Sequence, residues 1–159
     1  MPEEEPVWFE RHSLLADWAG QRELDGAGRR ALVVGCGPGR DAEFISELGY
    51  DTVAFDVSEV AVRTAGPRFS NSAVRYQVAD PLGPPAQWRG AFHLVVGSMI
   101  GQALPVAVGP FVALGGTLLA IGETREEVDA FATAGLLPVE VREVDGRWRA
   151  EFIRVAGPR

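Results

Sequence analysis

The stretch Ala31-Leu32-Val33-Val34-Gly35-Cys36-Gly37-Pro38-Gly39-Arg40 decides the fold. Its first four residues form an apolar run stopped by Gly35, which suits a strand buried on both faces. Gly39 to Leu48 then takes up helical spacing, with Phe44, Ile45 and Leu48 inward and Gly49 as a C-cap signal. Between strand and helix lies G-x-G-x-G. Glycines there permit positive φ and let a ligand approach the backbone closely. The start of the following helix offers free N–H groups and a positive dipole end to a carboxylate or phosphate. The turn departs from the dinucleotide fingerprint G-x-G-x-x-G, because Arg40 holds the place of the third Gly and Gly39 comes one residue early. A plain tight turn is the competing reading.

Outward from this stretch, β-like and helix-like segments alternate. Trp8 to Ala19 reads as an amphipathic helix, with Trp8, His12, Leu15 and Trp18 or Ala19 near one face. Thr52–Phe55 is a second strand ending at Asp56. Ser58 is the expected N-cap of a helix to about Ala65, closed by Gly66-Pro67. Val74–Val78 is a third strand, Pro81–Gly90 a turn-rich segment and Phe92–Val96 a fourth strand. A helix is expected over Pro105–Leu114, weakened by Gly109-Pro110, and a fifth strand over Thr117–Ile121, introduced by Gly115-Gly116. Arg125–Ala134 is a helix capped by Thr124, with Val128, Phe131 and Ala132 on one face and Gly135 at its end. Val139–Val144 and Arg147–Val155 flank Asp145-Gly146, a strong tight-hairpin signal. Trp148, Ala150 and Phe152 alternate with Arg147, Arg149 and Glu151, as in a strand with one solvated face. The expected fold is α/β: a Rossmann-like mixed sheet of about seven strands, with helices on both faces and a C-terminal antiparallel hairpin.

Composition narrows the function. The chain has 159 residues, enough for one domain. We expect residues 1–28 to form an N-terminal cap helix and linker, and residues 29–159 the core. The net charge is −7, whereas a nucleic-acid binder needs a basic field to displace counterions; no nucleic-acid partner is expected. All 15 basic residues are Arg, so lysine Schiff-base chemistry is absent. One Cys and two His exclude a disulfide within the chain and argue against a zinc site, so no metal is expected. No run of about 18 apolar residues spans a membrane, and the acidic start Met1-Pro2-Glu3-Glu4-Glu5-Pro6 lacks an apolar signal core. A cytoplasmic protein is the expectation.

Two acids complete the pattern. Asp56 ends the second strand about 20 residues after Gly35, where a carboxylate can accept both hydroxyls of an adenosine ribose. Asp80 ends the third strand, where it can accept from an adenine amine while Ala79 or Leu82 packs on the ring. A solvated turn residue or helix cap is the competing reading for both.

With these residues in place, 31–123 is similar to the class I S-adenosylmethionine-dependent methyltransferases. The similarity is carried by Leu32-Val33-Val34-Gly35-Cys36-Gly37-Pro38-Gly39, Phe55-Asp56-Val57-Ser58, Val78-Ala79-Asp80, Phe92-His93-Leu94-Val95-Val96 and Leu114-Gly115-Gly116-Thr117-Leu118. The terminal hairpin matches that family's antiparallel last strand. Gly39-Arg40-Asp41-Ala42 and Gly49-Tyr50-Asp51 resemble the small-molecule branch with thiopurine- and tellurite-type enzymes. The resemblance implies S-adenosylmethionine as cofactor. Its site would comprise Gly35, Cys36, Gly37, Gly39, Arg40, Asp56, Val57, Asp80, Pro81 and Ser98. Gly35, Gly37 and Gly39 would admit the methionine part, Asp56 would hold the ribose and Asp80 the adenine amine. Arg40 and Asp41 would contact the amino-acid end, unless they form only a solvated helical turn.

The resemblance further implies methyl transfer to a small-molecule acceptor. Ser98, Met99 and Gln102 follow the fourth strand, where the methyl should point. Ser98, Gln102 and His12 are the candidates for acceptor positioning; the catalytic residues are otherwise open. Trp8, Phe9 and His12 lie on a helix that in this family often folds over the cofactor, although core packing is the stronger reading of the two aromatics. His93 falls early in its strand and reads as structural. Cys36 reads as a small packed side chain, since no His partner is evident. So little chain remains beyond the core that a second copy, in a homodimer, is one expected way to cover an exposed site. The rival reading is a non-catalytic cofactor-binding or regulatory protein. A nicotinamide oxidoreductase fits less well, given the displaced Gly and the hairpin.

Overall fold

The apolar run of the opening stretch lies inside the sheet. In a computed structural model that describes residues 13–35, 39–68, 71–80, 82–98, 107–132 and 135–156, β1 (Arg30–Val34) has four buried residues in a row. Neighbours on both sides and helices on both faces account for that burial. The other strands are β2 (Asp51–Asp56), β3 (Arg75–Val78), β4 (Phe92–Ser98), β5 (Val112–Gly122), β6 (Leu136–Val144) and β7 (Arg147–Arg154). Their order in the sheet is β3-β2-β1-β4-β5-β7-β6. The first five are parallel, while β7 runs antiparallel to both β5 and β6. The expected seven-stranded mixed sheet with its terminal hairpin is present. Asp145 (φ 52) and Gly146 (φ 80) both take the left-handed conformation, as a two-residue turn matched to the strand twist requires.

Alternation along β1 divides the core. Ala31 joins Leu15, Trp18 and Ala19 of α1 (Ser13–Gln21) and Ile45 of α2 (Arg40–Glu47) on one face. Val33 packs there too, with Ala42, and Val62 of α3 (Glu59–Arg68) lies against it. Leu32 and Val34 face the other way, towards Trp88, Phe111 and Phe152 and towards Val128 of α4 (Arg125–Asp129). Trp88 is the hub of that face, with ring centroids 5.1 Å from Phe55, 6.1 Å from Phe92 and 5.8 Å from Phe111. No helix among the described residues is long and apolar enough to cross a membrane.

Several local expectations are corrected. α3 runs past Gly66-Pro67 to Arg68; a proline in a last turn loses one ladder bond where bonds already fray. The helix expected to Leu114 ends early: Ala107 and Val108 are helical, Gly109–Phe111 form a 3₁₀ turn, and β5 already begins at Val112. Gly115 and Gly116 lie within β5, at an irregularity where Phe92 pairs with Val112 but Leu94 with Thr117. Gly116 is required there, because a Cβ would meet the Ala113 carbonyl at 2.8 Å. α4 stops at Asp129 and not at Ala134. Thr124 caps it by accepting from the Glu127 N–H at 3.2 Å. Phe131 N–H then donates to Val128 O and Ala132 N–H to Asp129 O, a tightening to i−3 bonds that leaves Phe131 buried and Ala132 exposed.

The largest correction concerns β7, whose expected solvated face is covered at Arg149 and Glu151. Arg149 is 2% exposed. One guanidinium nitrogen donates to the Leu14 carbonyl at 3.0 Å and the other to Glu140 at 3.3 Å. Glu151 accepts from the Trp18 indole at 3.1 Å and from Arg22 Nε at 3.0 Å. α1 thus lies over the hairpin and meets it through charged and polar groups. Burial of a charge is tolerable only with such partners.

Candidate functional site

Four consecutive strands of the sheet, β3, β2, β1 and β4, bring their carboxyl ends to one edge. The register sets Val34 beside Phe55 and beside Gly97, and Asp56 beside Val78. Asp80, Asp56, Gly35 and Ser98 therefore follow one another along the edge. At about 4.8 Å per strand the row spans about 14 Å. Open α/β sheets bind ligands at this edge.

The turn after β1 begins with Gly35 at φ 73, exposed, its N–H donated to Phe55 O at 2.9 Å. It ends with Gly39 at φ 94 and ψ −2, the N-cap of α2, which has no side-chain cap. Both glycines occupy the left-handed region that side chains resist. α2 opens with Arg40 and with the acids Asp41 and Glu43 in its first turn. The Tyr76 hydroxyl donates to Glu43 at 2.7 Å and lies 3.4 Å from the Gly39 carbonyl. Ser72 Oγ donates to the same Glu43 oxygen at 2.5 Å. These three side chains brace the helix start from beneath. Their spacing in the sequence (Glu43, Ser72, Tyr76) matches no motif, so nothing in the sequence marks them as a group.

Asp56 is half-buried and Asp80 exposed. Each closes a local turn: Asp56 Oδ1 accepts from the Ser58 N–H at 2.9 Å, and Asp80 Oδ1 from the Leu82 N–H at 2.9 Å. Ser58 in turn caps α3, accepting from Ala61 N–H at 3.2 Å. A carboxylate has about four acceptor sites, so these bonds leave each acid able to accept from a ligand. Val57 is 68% exposed and Leu82 75%, and the two apolar side chains flank the acids in the chain. Ser98 is the last residue of β4, which runs two residues further than expected. Cys36, Gly37, Pro81, Gln102, Met99, Trp8, Phe9 and His12 lie outside the described residues.

His93 is the second residue of β4, at the far end of that strand from Ser98. Its Nδ1 accepts from the Arg30 N–H at 3.0 Å, a structural bond between the amino ends of β1 and β4. Among the described residues no three His, Cys, Asp or Glu side chains gather as metal ligands.

Known proteins supply the remaining comparison. No family model matches the chain, and no curated protein does. Solved structures do match. A TehB-like S-adenosylmethionine-dependent methyltransferase from Corynebacterium glutamicum superposes with a TM-score of 0.69 at 16% identity, covering 94% of this chain and 89% of that one. The N-methyltransferase NodS from Bradyrhizobium japonicum gives 0.73 at 17% identity, covering 91% and 94%. Geranyl diphosphate C-methyltransferase from Streptomyces coelicolor, solved with Mg²⁺, geranyl diphosphate and S-adenosyl-L-homocysteine, gives 0.71 at 15%, covering 90% and 80%. At such identities the likeness establishes the fold: the chain has the Rossmann-like fold of class I methyltransferases.

Proposed function

We propose that the protein binds S-adenosylmethionine at the carboxyl edge of β1–β4 and transfers its methyl group to a small-molecule acceptor. The observation that carries this reading is the row Gly35, Asp56, Asp80, in register on three adjoining strands of a methyltransferase fold. The residues fit the ligand. Exposed Gly35 has no side chain to obstruct a close approach, half-buried Asp56 retains an oxygen for ribose hydroxyls, and Asp80 with Val57 and Leu82 offers an acceptor between apolar surfaces for adenine. Gly37, Gly39, Cys36 and Arg40 complete the methionine end in this reading, and Pro81 the adenine end.

The bound cofactor supplies an electrophilic methyl on a sulfonium, which is the hard part of the chemistry. The chain has to hold donor and acceptor in line and exclude water. Ser98, which closes β4 on the strand beside β1, is proposed to orient the acceptor together with Gln102 and His12. A base is needed only for acceptors that lose a proton on attack, so the scarcity of titratable groups at this edge is compatible with transfer. Within the fold class, the thiopurine- and tellurite-type branch is the proposed affiliation. Residues 29–159 act as one core in this account, with 1–28 as cap and linker.

Calorimetric titration with S-adenosylmethionine and S-adenosylhomocysteine tests the proposal. One saturable site is expected, weakened roughly tenfold or more by Asp56→Ala, the loss of about 1.4 kcal/mol or more. An absence of binding, or an unchanged affinity in the variant, would reject it. Tight binding without turnover on a panel of small acceptors would favour the rival, a binding-only protein.

A further inference from the structure

A second site lies at the opposite edge of the sheet. A cavity of about 250 Å³ opens beside the amino ends of β4 and β5, beneath the last turn of α1. His93 at its rim and Ser98 at the carboxyl edge are five residues apart on β4, or about 17 Å. That distance removes the cavity from any part in the methyl transfer.

The cavity has a local origin in the sequence. Between Val112 and Thr117 the β5 backbone departs from regular pairing, and Gly115 and Gly116 contribute no side chains to fill the space. A Cβ on Gly115 would meet nothing within 4 Å. Opposite them, the Tyr50 ring is set against Gly26, where a Cβ would approach the ring to 2.3 Å.

The lining divides by chemistry. Trp18, Leu24, Leu94 and Leu114 are apolar, whereas Arg29, Tyr50, His93 and Thr117 carry hydrogen-bond donors. Because His93 Nδ1 accepts the Arg30 N–H, the neutral ring carries its proton on Nε2 and presents a donor. Tyr50 is buried and Arg29 exposed. Burial pushes the Tyr50 hydroxyl up, against the opposing charge and hydrogen bond of Arg29, so it remains a neutral donor at physiological pH. No acidic side chain is among the described lining residues. Two acids stand behind the lining: Asp25 acts on Tyr50 and accepts the Ala27 N–H at 3.0 Å, and Glu151 is engaged by the Trp18 indole and Arg22. In a chain of net charge −7, a pocket lined by donors, one of them cationic, and by no described acid suits an anion.

We propose that this cavity binds a small carboxylate carrying a single apolar ring, of about the size of benzoate. An apolar cavity of about 150 Å³ accommodates benzene, so the larger volume here leaves room for the carboxylate. Arg29 and His93 hold the carboxylate, and Leu24 and Leu114, above the buried Trp18 and Leu94, hold the ring. This reading is independent of the one for the carboxyl edge, and either can fail alone.

The test is an NMR titration of the full chain with benzoate, with benzamide as the uncharged control, following the Trp18 indole and His93 ring signals. Benzoate is expected to shift both saturably, with benzamide roughly tenfold weaker or worse, as loss of a charge-assisted bond requires. Arg29→Gln alters an exposed side chain, and should weaken benzoate roughly tenfold while the free protein keeps its Trp18 signal. Leu24→Trp, which fills the apolar part, should abolish binding. The absence of saturable shifts, equal binding of benzamide, or wild-type affinity in either variant would overturn the proposal.

Discussion

The two halves of the sheet use their polar side chains differently. In β3-β2-β1-β4, side chains at the carboxyl edge bond close to home: Asp56 to Ser58 and Asp80 to Leu82, each two residues on, and Ser58 to Ala61 three on. In β5-β7-β6 they reach across the chain. Arg149 and Leu14 are 135 residues apart, Trp18 and Glu151 are 133, and Arg22 and Glu151 are 129. Local bonds fix a turn and leave acceptor sites open to a ligand. Long-range bonds commit the same atoms to tertiary structure. The carboxyl edge of the first half is therefore where the methyl donor can be held in the proposed reading, and the second half is what holds the N-terminal helix.

Trp88→Ala should have the largest effect and tests whether the halves are one unit. The indole contacts Phe55 of β2 as well as Phe92 and Phe111 beside β5. Truncation should cost about 3–5 kcal/mol, read by urea denaturation as one shifted transition. Two separated transitions would show that the halves unfold independently.

Arg149→Ala comes next, at about 2–3 kcal/mol. Breaking a buried ion pair costs more than that when the partner is fully enclosed, but Glu140 is about a third exposed and water will solvate it. Arg149→Met should recover part of the loss by packing alone. Donor binding at the other half should survive in both variants, and its loss would contradict the division of labour.

Tyr76→Phe is the smallest. It removes the hydroxyl that Glu43 accepts, at about 1 kcal/mol, and loosens the start of α2. Stability should fall slightly, and S-adenosylhomocysteine should bind measurably more weakly. An unchanged affinity would make the Tyr76–Glu43–Ser72 brace purely structural.

The same contrast explains what was legible in the sequence. The positions of Gly35, Gly39, Asp56 and Asp80 at the sheet edge could be read because each lies within a few residues of a strand end, and a short motif records it. The hairpin could be read from Asp145-Gly146 for the same reason. Arg149 looked solvent-facing because alternation shows one apolar face of β7 and contains nothing about α1 crossing the other. The helix expected over Pro105–Leu114 stops short of Leu114 because Val112 pairs with Phe92, a choice made by the neighbouring strand. Tyr76 was invisible as a site residue because its partners, Glu43 and Gly39, come from another strand-to-helix turn.

The proposed function requires that the ligand edge be the carboxyl one and that it take the methyl donor. An amide NMR map of the ¹⁵N-labelled chain titrated with S-adenosylhomocysteine tests this. Saturable shifts are expected at Gly35, Val57, Ala79 and Gly97, with His93 and Thr117 at the opposite edge unmoved. Shifts confined to His93 and Thr117, or no saturable shift anywhere, would contradict it.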